Sequence, residues 1–419
     1  MSATVVLGCM WGDEGKAKIT DVLAARADAV VRFQGGANAG HTIWHDGVKY
    51  VFNTVPSGLL YTGVLCLLGA GVVIDPIQLQ QEMDVLRGQG LSFEGRFFIE
   101  PRASLVLPLH KDLDSGSEDD ARTVKIGTTR RGIGPAYADR ASRVNVQVQD
   151  LFNQAELRRK LENLFVFHCG NRDPEELERM LSMLRHAAEV LRPYVAPTIY
   201  MLHDLHAQGK HIVFEGAQGS LLDVDLGTYP YVTSSHTTVG GVSVGSGFPA
   251  HRLDRIVGVY KSYATRVGEG PFPTELNDEP GRLIRERGHE YGTATGRPRR
   301  CGWFDVVAAR YTAMVNGLEE IALTLLDVLS GFDTLKLCTG YRINGEPTDQ
   351  FPAGASVLDC VEPIYEELPG WHEDITGITH YQDLPAAARN YVETIARLLK
   401  VRVSIVSVGA DRNQTIFCD

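Results

Sequence analysis

The sequence predicts an α/β protein, built on a large, mostly parallel central β-sheet flanked by helices, with a P-loop-like turn and with helical and smaller β insertions. Three observations carry that prediction. Short β-branched runs alternate with longer helical patterns, the rhythm of parallel strands joined by crossover helices. The first apolar run, at 4–7, passes through a glycine-rich turn directly into a helical stretch at 16–25. Only about 151–210 is uniformly helical and charged, and strand character returns at 211–214. No internal repeat, heptad array, low-complexity tract or linker is evident. Residues 1–419 therefore read as one domain with a helical subregion at about 151–210.

The turn between the first strand and helix reads Gly8-Cys9-Met10-Trp11-Gly12-Asp13-Glu14-Gly15-Lys16. Strand, glycine turn and helix together point backbone N–H groups and a positive helix end at a phosphate. Against the pattern G-x-x-x-x-G-K-[ST], the match from Met10 is incomplete, because Ala17 stands where a hydroxyl would follow the lysine. A Mg²⁺ ion lacking that hydroxyl needs another oxygen, and Asp13 is the nearest candidate. The bland alternative is a tight turn with solvated charges.

A second strand is expected at 29–33, ending in Gln34-Gly35-Gly36-Ala37-Asn38-Ala39-Gly40-His41-Thr42, a loop too glycine-rich for packed core. A strand at 64–71 and a helix at 76–87 follow. Ser115 to Asp120 is polar and acidic and reads as a mobile surface loop. In the helical subregion, Asp173, Pro174 and Glu176 supply an N-cap, a first-position proline and an acid at N3. Leu177, Met180, Leu181, Leu184, Ala188 and Leu191 then recur at helical spacing, a layer to be packed on the sheet.

Composition narrows the function classes. With 44% hydrophobic and 22% charged residues the chain can bury a sizeable core. A net charge of −11 argues against broad nucleic-acid or anionic-membrane binding, while leaving room for a local basic pocket. No apolar run approaches the ~18 residues of a membrane helix. The seven cysteines are scattered without a C-x-x-C pair and read as free thiols of a reducing compartment. The chain opens on a strand with no signal-peptide pattern, so the expected location is cytoplasmic.

Several later stretches carry chemistry. His41 closes the 36–42 glycine loop, where an imidazole can act as an acid or donate to a developing oxyanion. Lys125 to Tyr137 sets Thr128, Thr129, Arg130 and Arg131 among glycines, a plausible anion cradle, and Arg143 follows. Glu215-Gly216-Ala217-Gln218-Gly219 sits just past a strand, where α/β proteins place ligand groups. Tyr229 to Ser235 adds hydroxyls. Thr295-Gly296-Arg297-Pro298-Arg299-Arg300 concentrates three guanidiniums suited to carboxylates or phosphates. Taken alone, that cluster reads equally as a solvated basic face.

Together these stretches resemble the adenylosuccinate synthetase family. The resemblance rests on Trp-Gly-Asp-Glu-Gly-Lys at 11–16, Gly-Gly-Ala-Asn-Ala-Gly-His-Thr at 35–42 and Arg-Gly-Ile-Gly-Pro-Ala-Tyr at 131–137. It extends through Glu-Gly-Ala-Gln-Gly at 215–219, Tyr-Pro-Tyr-Val-Thr-Ser-Ser at 229–235, Thr-Gly-Arg at 295–297, Leu-Asp-Val-Leu at 326–329 and the segment 407–413. A single glycine loop is weak evidence; a collinear set spanning the chain is strong.

The resemblance implies a GTP- and Mg²⁺-dependent ligase that joins L-aspartate to C6 of IMP through a 6-phosphoryl intermediate, in AMP biosynthesis. By similarity, Asp13, His41 and Gln218 are catalytic, with Asp13 taking the N1 proton and His41 acting as acid. Gly12, Glu14, Gly15, Lys16, Gly40, Thr42, Asp327, Ser407 and Gly409 would hold the nucleotide. Asp13 and the Gly40 carbonyl would hold one or two Mg²⁺ ions. IMP would meet Asp13, Asn38, Thr128, Thr129, Gln218, Thr233, Arg297 and, from a neighbouring subunit of a homodimer, Arg143. Thr295, Arg297 and Arg299 would grip aspartate.

The chain departs from the family pattern at Met10, Ala17, Thr20, Arg130 and Pro298, and at Leu325, where a lysine that packs on guanine is usual. That last departure raises two alternatives, ATP as the energy donor and a (d)GMP-type 6-oxopurine as acceptor. A non-catalytic nucleotide-binding protein is the contrasting class, opposed by Asp13, Lys16, His41 and the arginine cluster.

Overall fold

The computed structural model describes residues 2–45, 47–170, 173–292, 296 and 298–418. Its frame is a nine-stranded sheet of β1 (Ser2–Gly8), β2 (Ala29–Arg32), β3 (Leu65–Leu68), β4 (Phe97–Ile99), β5 (His211–Glu215), β6 (Arg255–Lys261), β7 (Glu320–Thr324), β8 (Arg402–Ser407) and β9 (Thr415–Phe417). The order across the sheet is β9-β8-β7-β6-β1-β5-β2-β3-β4. All neighbours are parallel except the β8–β9 edge pair. This is the mostly parallel sheet the sequence predicts.

The strands alternate their side chains between two cores. Val5, Leu7, Val31, Phe214, Ile321 and Leu323 face one side. Val6, Val30, Val213, Val259, Ala322 and Ile405 face the other, where Ile19 and Ala24 of α1 (Lys16–Ala24) cover them. Burial on both faces explains why the strands read as continuous apolar runs rather than half-polar ones. Because β1, β2, β5, β6 and β7 are parallel, the loops after them emerge at one edge, where ligands of open α/β sheets are held. That edge gathers motifs more than 300 residues apart in the chain: Thr324, closing β7, donates its hydroxyl to the Glu14 carbonyl at 2.6 Å.

The helical subregion contains Gln154–Cys169, Pro174–Leu191 and Thr198–Ala207. Asp173 accepts from the Glu175 and Glu176 N–H groups, the expected cap. Leu177, Met180, Leu181, Leu184, Ala188 and Leu191 are buried with Leu79, Met83 and Leu86 of the helix Pro76–Gly88 and with Cys66 and Phe97 of the sheet. The smaller β insertions are the hairpin His41–His45/Val48–Phe52 and a four-stranded sheet of Phe304–Asp305, Thr334–Ile343, Glu346–Thr348 and Glu362–Pro369. No helix among the described residues is long and apolar enough to cross a membrane.

Two local expectations are corrected. Ser115 to Asp119 is not a loop but the end of the helix Pro108–Asp119. Proline in its first turn and His110, whose Nδ1 accepts the Leu107 N–H at 2.9 Å, fix its start. Its acids are then used as acceptors: Asp114 takes the Gly132 N–H, and Glu118 takes those of Ile126 and Gly127. Nor is the 34–42 loop unpacked, since Gln34, Gly35, Gly36 and Ala37 are buried. Glycine is what permits this: a Cβ at Gly36 would lie 2.6 Å from the Val73 carbonyl oxygen.

Candidate active site

The phosphate-type turn is folded by its own charges. Glu14, buried, accepts from the Met10 and Gly12 N–H groups, both at 2.9 Å, and pairs with Lys16 Nζ at 2.6 Å. Gly8 lets these groups close up, because a Cβ there would stand 2.4 Å from Glu14 Oε2 and 2.7 Å from Lys16 Nζ. Asp13 is left pointing outward with a φ of 60°, a left-handed conformation that Asp tolerates better than most residues. Gly15 caps α1, so the helix's positive end opens beside Asp13 and Lys16.

A cavity of about 520 Å³ lies over this turn. Its walls include Gly12, Asp13, Gly15, Lys16, Asn38, Gly40, His41, Thr42, Thr128, Thr129, Gln218, Thr233 and Arg299, so one space gathers most of the sequence-predicted site residues. Ala17 lines it as well. Gln218 adopts a φ of 57°, and its Oε1 is buried without a protein partner among the described residues. A buried acceptor of that kind is normally satisfied by ligand or water.

His41 is held from behind. Its Nδ1 lies 2.6 Å from Glu215 Oε1, while Ser57 donates its N–H and hydroxyl to Oε2 and Arg32 stands 3.7 Å away. Burial is the largest influence on Glu215 and pushes it up. His41, Arg32 and the Ser57 N–H outweigh it and hold the carboxyl at about 2. For His41 burial wins, keeping the imidazole below its ordinary value against the opposing pull of Glu215. The Nδ1–H of a neutral ring donates to the ionised Glu215, which leaves Nε2 as the atom available for proton transfer.

Asp13 faces a second network. Arg299 Nε is 2.7 Å from its Oδ2, and Arg299 NH1 is 2.6 Å from the buried Glu290, which also takes Lys261 Nζ at 2.6 Å and the Tyr263 hydroxyl. Burial raises Asp13, but Arg299, Lys261 and Lys16 together bring it below the usual carboxylate range. The Asp13 side chain remains 39% exposed. A half-open carboxylate in a cavity that Gly40 also lines is a hard oxygen donor that fits Mg²⁺, which takes one or two carboxylates and keeps waters and phosphates as its other ligands.

Not every expected residue joins this cavity. Arg130 pairs outward with Asp119 at 2.6 Å and Arg131 reaches Gln78, so of the expected anion cradle only the threonines face inward. Arg143 caps the helix Ile133–Ser142, is exposed and does not line this cavity. Asp327, Ser407 and Gly409 collect around Lys18, whose ammonium donates to Ser407 Oγ at 2.7 Å and to the Gly409 carbonyl at 2.8 Å. Thr295 and Arg297 lie outside the described residues.

Sequence reasoning passed over the supports: Glu215 behind His41, Glu290 behind Arg299, and Lys18. It also passed over Arg266, a buried cavity wall that bonds to the Pro271 and Tyr231 carbonyls and covers Trp11 at 5.1 Å. Glu215 and Lys18 stood inside or beside recognisable motifs, where a charged residue closing a buried strand, or a second lysine on a short helix, was the available signal.

The comparisons agree along the whole chain. The family model described as adenylosuccinate synthetase matches residues 5–416. An adenylosuccinate synthetase of Brevibacillus brevis is 50% identical over 422 residues, covering 99% of this chain and 98% of the relative. The structure of a fully ligated adenylosuccinate synthetase from Plasmodium falciparum superposes with a TM-score of 0.94 at 37% identity, covering 100% of both chains. A cyanophage S-2L succinoaminodeoxyadenylate synthetase, bound to dGMP and dATP as an energy donor, shares the fold at 21% identity and a TM-score of 0.63, over 99% of this chain and 95% of that one. Matched from end to end in sequence and in fold, this chain belongs to the adenylosuccinate synthetase family and is a ligase.

Proposed function

We propose that this ligase joins L-aspartate to C6 of IMP at the expense of GTP, releasing GDP and phosphate, through 6-phosphoryl-IMP. The observation that supports it best is the shared cavity, where an acid–base pair, a phosphate-type turn and an arginine line one space. Asp13 accepts the N1 proton of the purine, which makes the 6-oxygen nucleophilic toward the γ-phosphoryl group. Lys16 and the N–H groups at the start of α1 stabilise the equatorial charge during transfer, a reaction governed by positioning and electrostatics.

His41 Nε2 faces the transferring group, and the arriving phosphate charge raises the imidazole enough to protonate it as transfer proceeds. The aspartate amine then attacks C6 and inorganic phosphate departs with the 6-oxygen. Mg²⁺, as one or two ions held by Asp13 and the Gly40 carbonyl, would neutralise charge on the triphosphate. Asn38, Thr128, Thr129, Gln218 and Thr233 hold IMP; Thr295, Arg297 and Arg299 hold aspartate; Thr42, Asp327, Ser407 and Gly409 complete the nucleotide site.

Exposed Arg143, which does not line its own chain's cavity, supports a homodimer in which it reaches the neighbouring IMP. Four wholly buried free thiols, at Cys9, Cys66, Cys301 and Cys338, support a reducing, cytoplasmic setting. Phosphate release with aspartate and Mg²⁺, crossing GTP or ATP with IMP or dGMP, tests the function. Turnover with GTP and IMP is expected. Turnover only with ATP, or only with the guanine acceptor, would overturn it.

A further inference from the structure

Lys18 follows Lys16 by two residues on α1 but serves a different place. A lysine ammonium has three donors, and all three are used: on Ser407 Oγ at 2.7 Å, the Gly409 carbonyl at 2.8 Å and the Gln414 carbonyl at 2.9 Å. These acceptors bracket the turn between β8 and β9. Inside it, the Ser407 hydroxyl donates to the Gly409 carbonyl, the Val408 N–H to the Gln414 carbonyl and the Asp411 N–H to Gln414 Oε1, each at 3.0 Å. Burial dominates the ammonium and takes it down to about 8 against the fields of Asp327 and Asp411. A buried cation is expensive unless its hydrogen bonds are complete, and in this turn they are.

Asp327 stands beside this cage with its Oδ1 buried and without a partner among the described residues. Lys18 has no donor left to give it. Leu325, at a φ of 57°, packs its side chain against the core, so position 325 brings no cation to the corner. We propose that Lys18 is the positioning residue of the base-recognition site. It ties the 407–414 turn to α1, so that phosphate binding and base reading form one rigid unit, and it leaves the Asp327 oxygen to be satisfied by a base N–H. The proposal rests on the proposed function, in which Asp327, Ser407 and Gly409 receive the nucleotide base.

The test uses the full chain with Lys18→Met and Lys18→Arg. It measures steady-state KM for GTP, IMP and aspartate, and calorimetric Kd for GDP and ADP. In Lys18→Met the GTP KM and GDP Kd should rise about tenfold or more, the scale of lost hydrogen bonds from a charged donor. IMP and aspartate KM should stay within about twofold, and Lys18→Arg should recover part of the loss. If circular dichroism shows Lys18→Met unfolded, Lys18→Gln, which keeps a donor and much of the stem, takes its place with a smaller rise expected. A folded variant with unchanged GTP KM and GDP Kd overturns the proposal, as does a parallel rise in all three KM values. A wild type that binds ADP as tightly as GDP overturns the base reading itself, and the proposal with it.

Discussion

The corner around His41 and the corner around Asp327 each combine a carboxylate, a cation and a serine and are held in opposite ways. At His41 the carboxylate is fully used: Glu215 meets the imidazole, Arg32 and two donors of Ser57, while Arg32 keeps Nε and one terminal nitrogen buried without a partner among the described residues. At Asp327 the cation is spent on the 407–414 turn and one carboxylate oxygen is left over. In the proposed function, His41 is therefore oriented by the protein's own carboxylate before substrate arrives, as electrostatic catalysis requires. The base-reading corner is completed by what binds there, as discrimination requires, since an unpaired buried acceptor penalises any ligand that cannot donate to it. Substitutions in the first corner should therefore act on kcat, and those in the second on nucleotide KM.

The sharpest test of that division is Asp13→Asn. It keeps size and removes the proton acceptor, so phosphate release should fall by about 10³-fold. GDP titration should still show binding within a few-fold of wild type. Loss of binding in step with turnover would mean that Asp13 belongs to the nucleotide site more than to the chemistry.

Glu215→Gln comes next. It touches no substrate, yet it frees the His41 ring and strands Arg32 in the core, so kcat should drop by about 10²-fold with GTP KM little changed. The pH dependence of stability separates this support role from a direct one. Glu215 sits at about 2 in the folded chain against an ordinary 4.5. Its contribution is complete above about 4.5 and is lost as pH falls through about 2, because the unfolded chain then binds the proton first. Wild-type melting temperature should fall across that window, and the Glu215→Gln curve should be flatter. Equal slopes would show that Glu215 is not the ionised anchor of His41.

Asp327→Asn probes the other corner. An amide can still accept one N–H but carries no charge, so GTP KM should rise about tenfold while kcat and IMP KM hold. ITP, which lacks the 2-amino donor, should lose less than GTP does. Equal losses for the two would mean that Asp327 does not read that amino group.

What the sequence made legible follows the same contrast. The strand runs, the α1 turn and the 35–42 and 215–219 motifs were visible because local chemistry, glycine beside charge and apolar run before polar turn, writes them into neighbouring residues. The supports were not. Glu215 reaches Ser57 across 158 positions and Lys18 reaches Ser407 across 389, and only the strand order brings them together. The misread 115–119 segment failed for a related reason. Its Gly and Ser argue for a loop locally, while Asp114 and Glu118 fix it as helix through the 126–132 segment they accept from.

The smallest expected effect bears on Leu325, one of the six positions at which the sequence departs from the pattern it resembles. Leu325, two residues before Asp327, packs its side chain on the core, where the resemblance implies a lysine over the guanine. If the base corner is closed by the Lys18-held turn and the Asp327 acceptor, a cation stacked on the base is an addition rather than a requirement. Leu325→Lys should then lower GTP KM by only about two- to fivefold, the range of an exposed to half-buried cation–π contact. The left-handed backbone at 325 costs the lysine no more than it costs the leucine, since both carry a Cβ and neither is β-branched. A drop of a hundredfold would show that the natural chain binds the base incompletely and would weaken the contrast between the two corners. A rise in KM would show that Leu325 contributes apolar contact of its own, so that packing beside the base stands in this chain where a charge over it was expected.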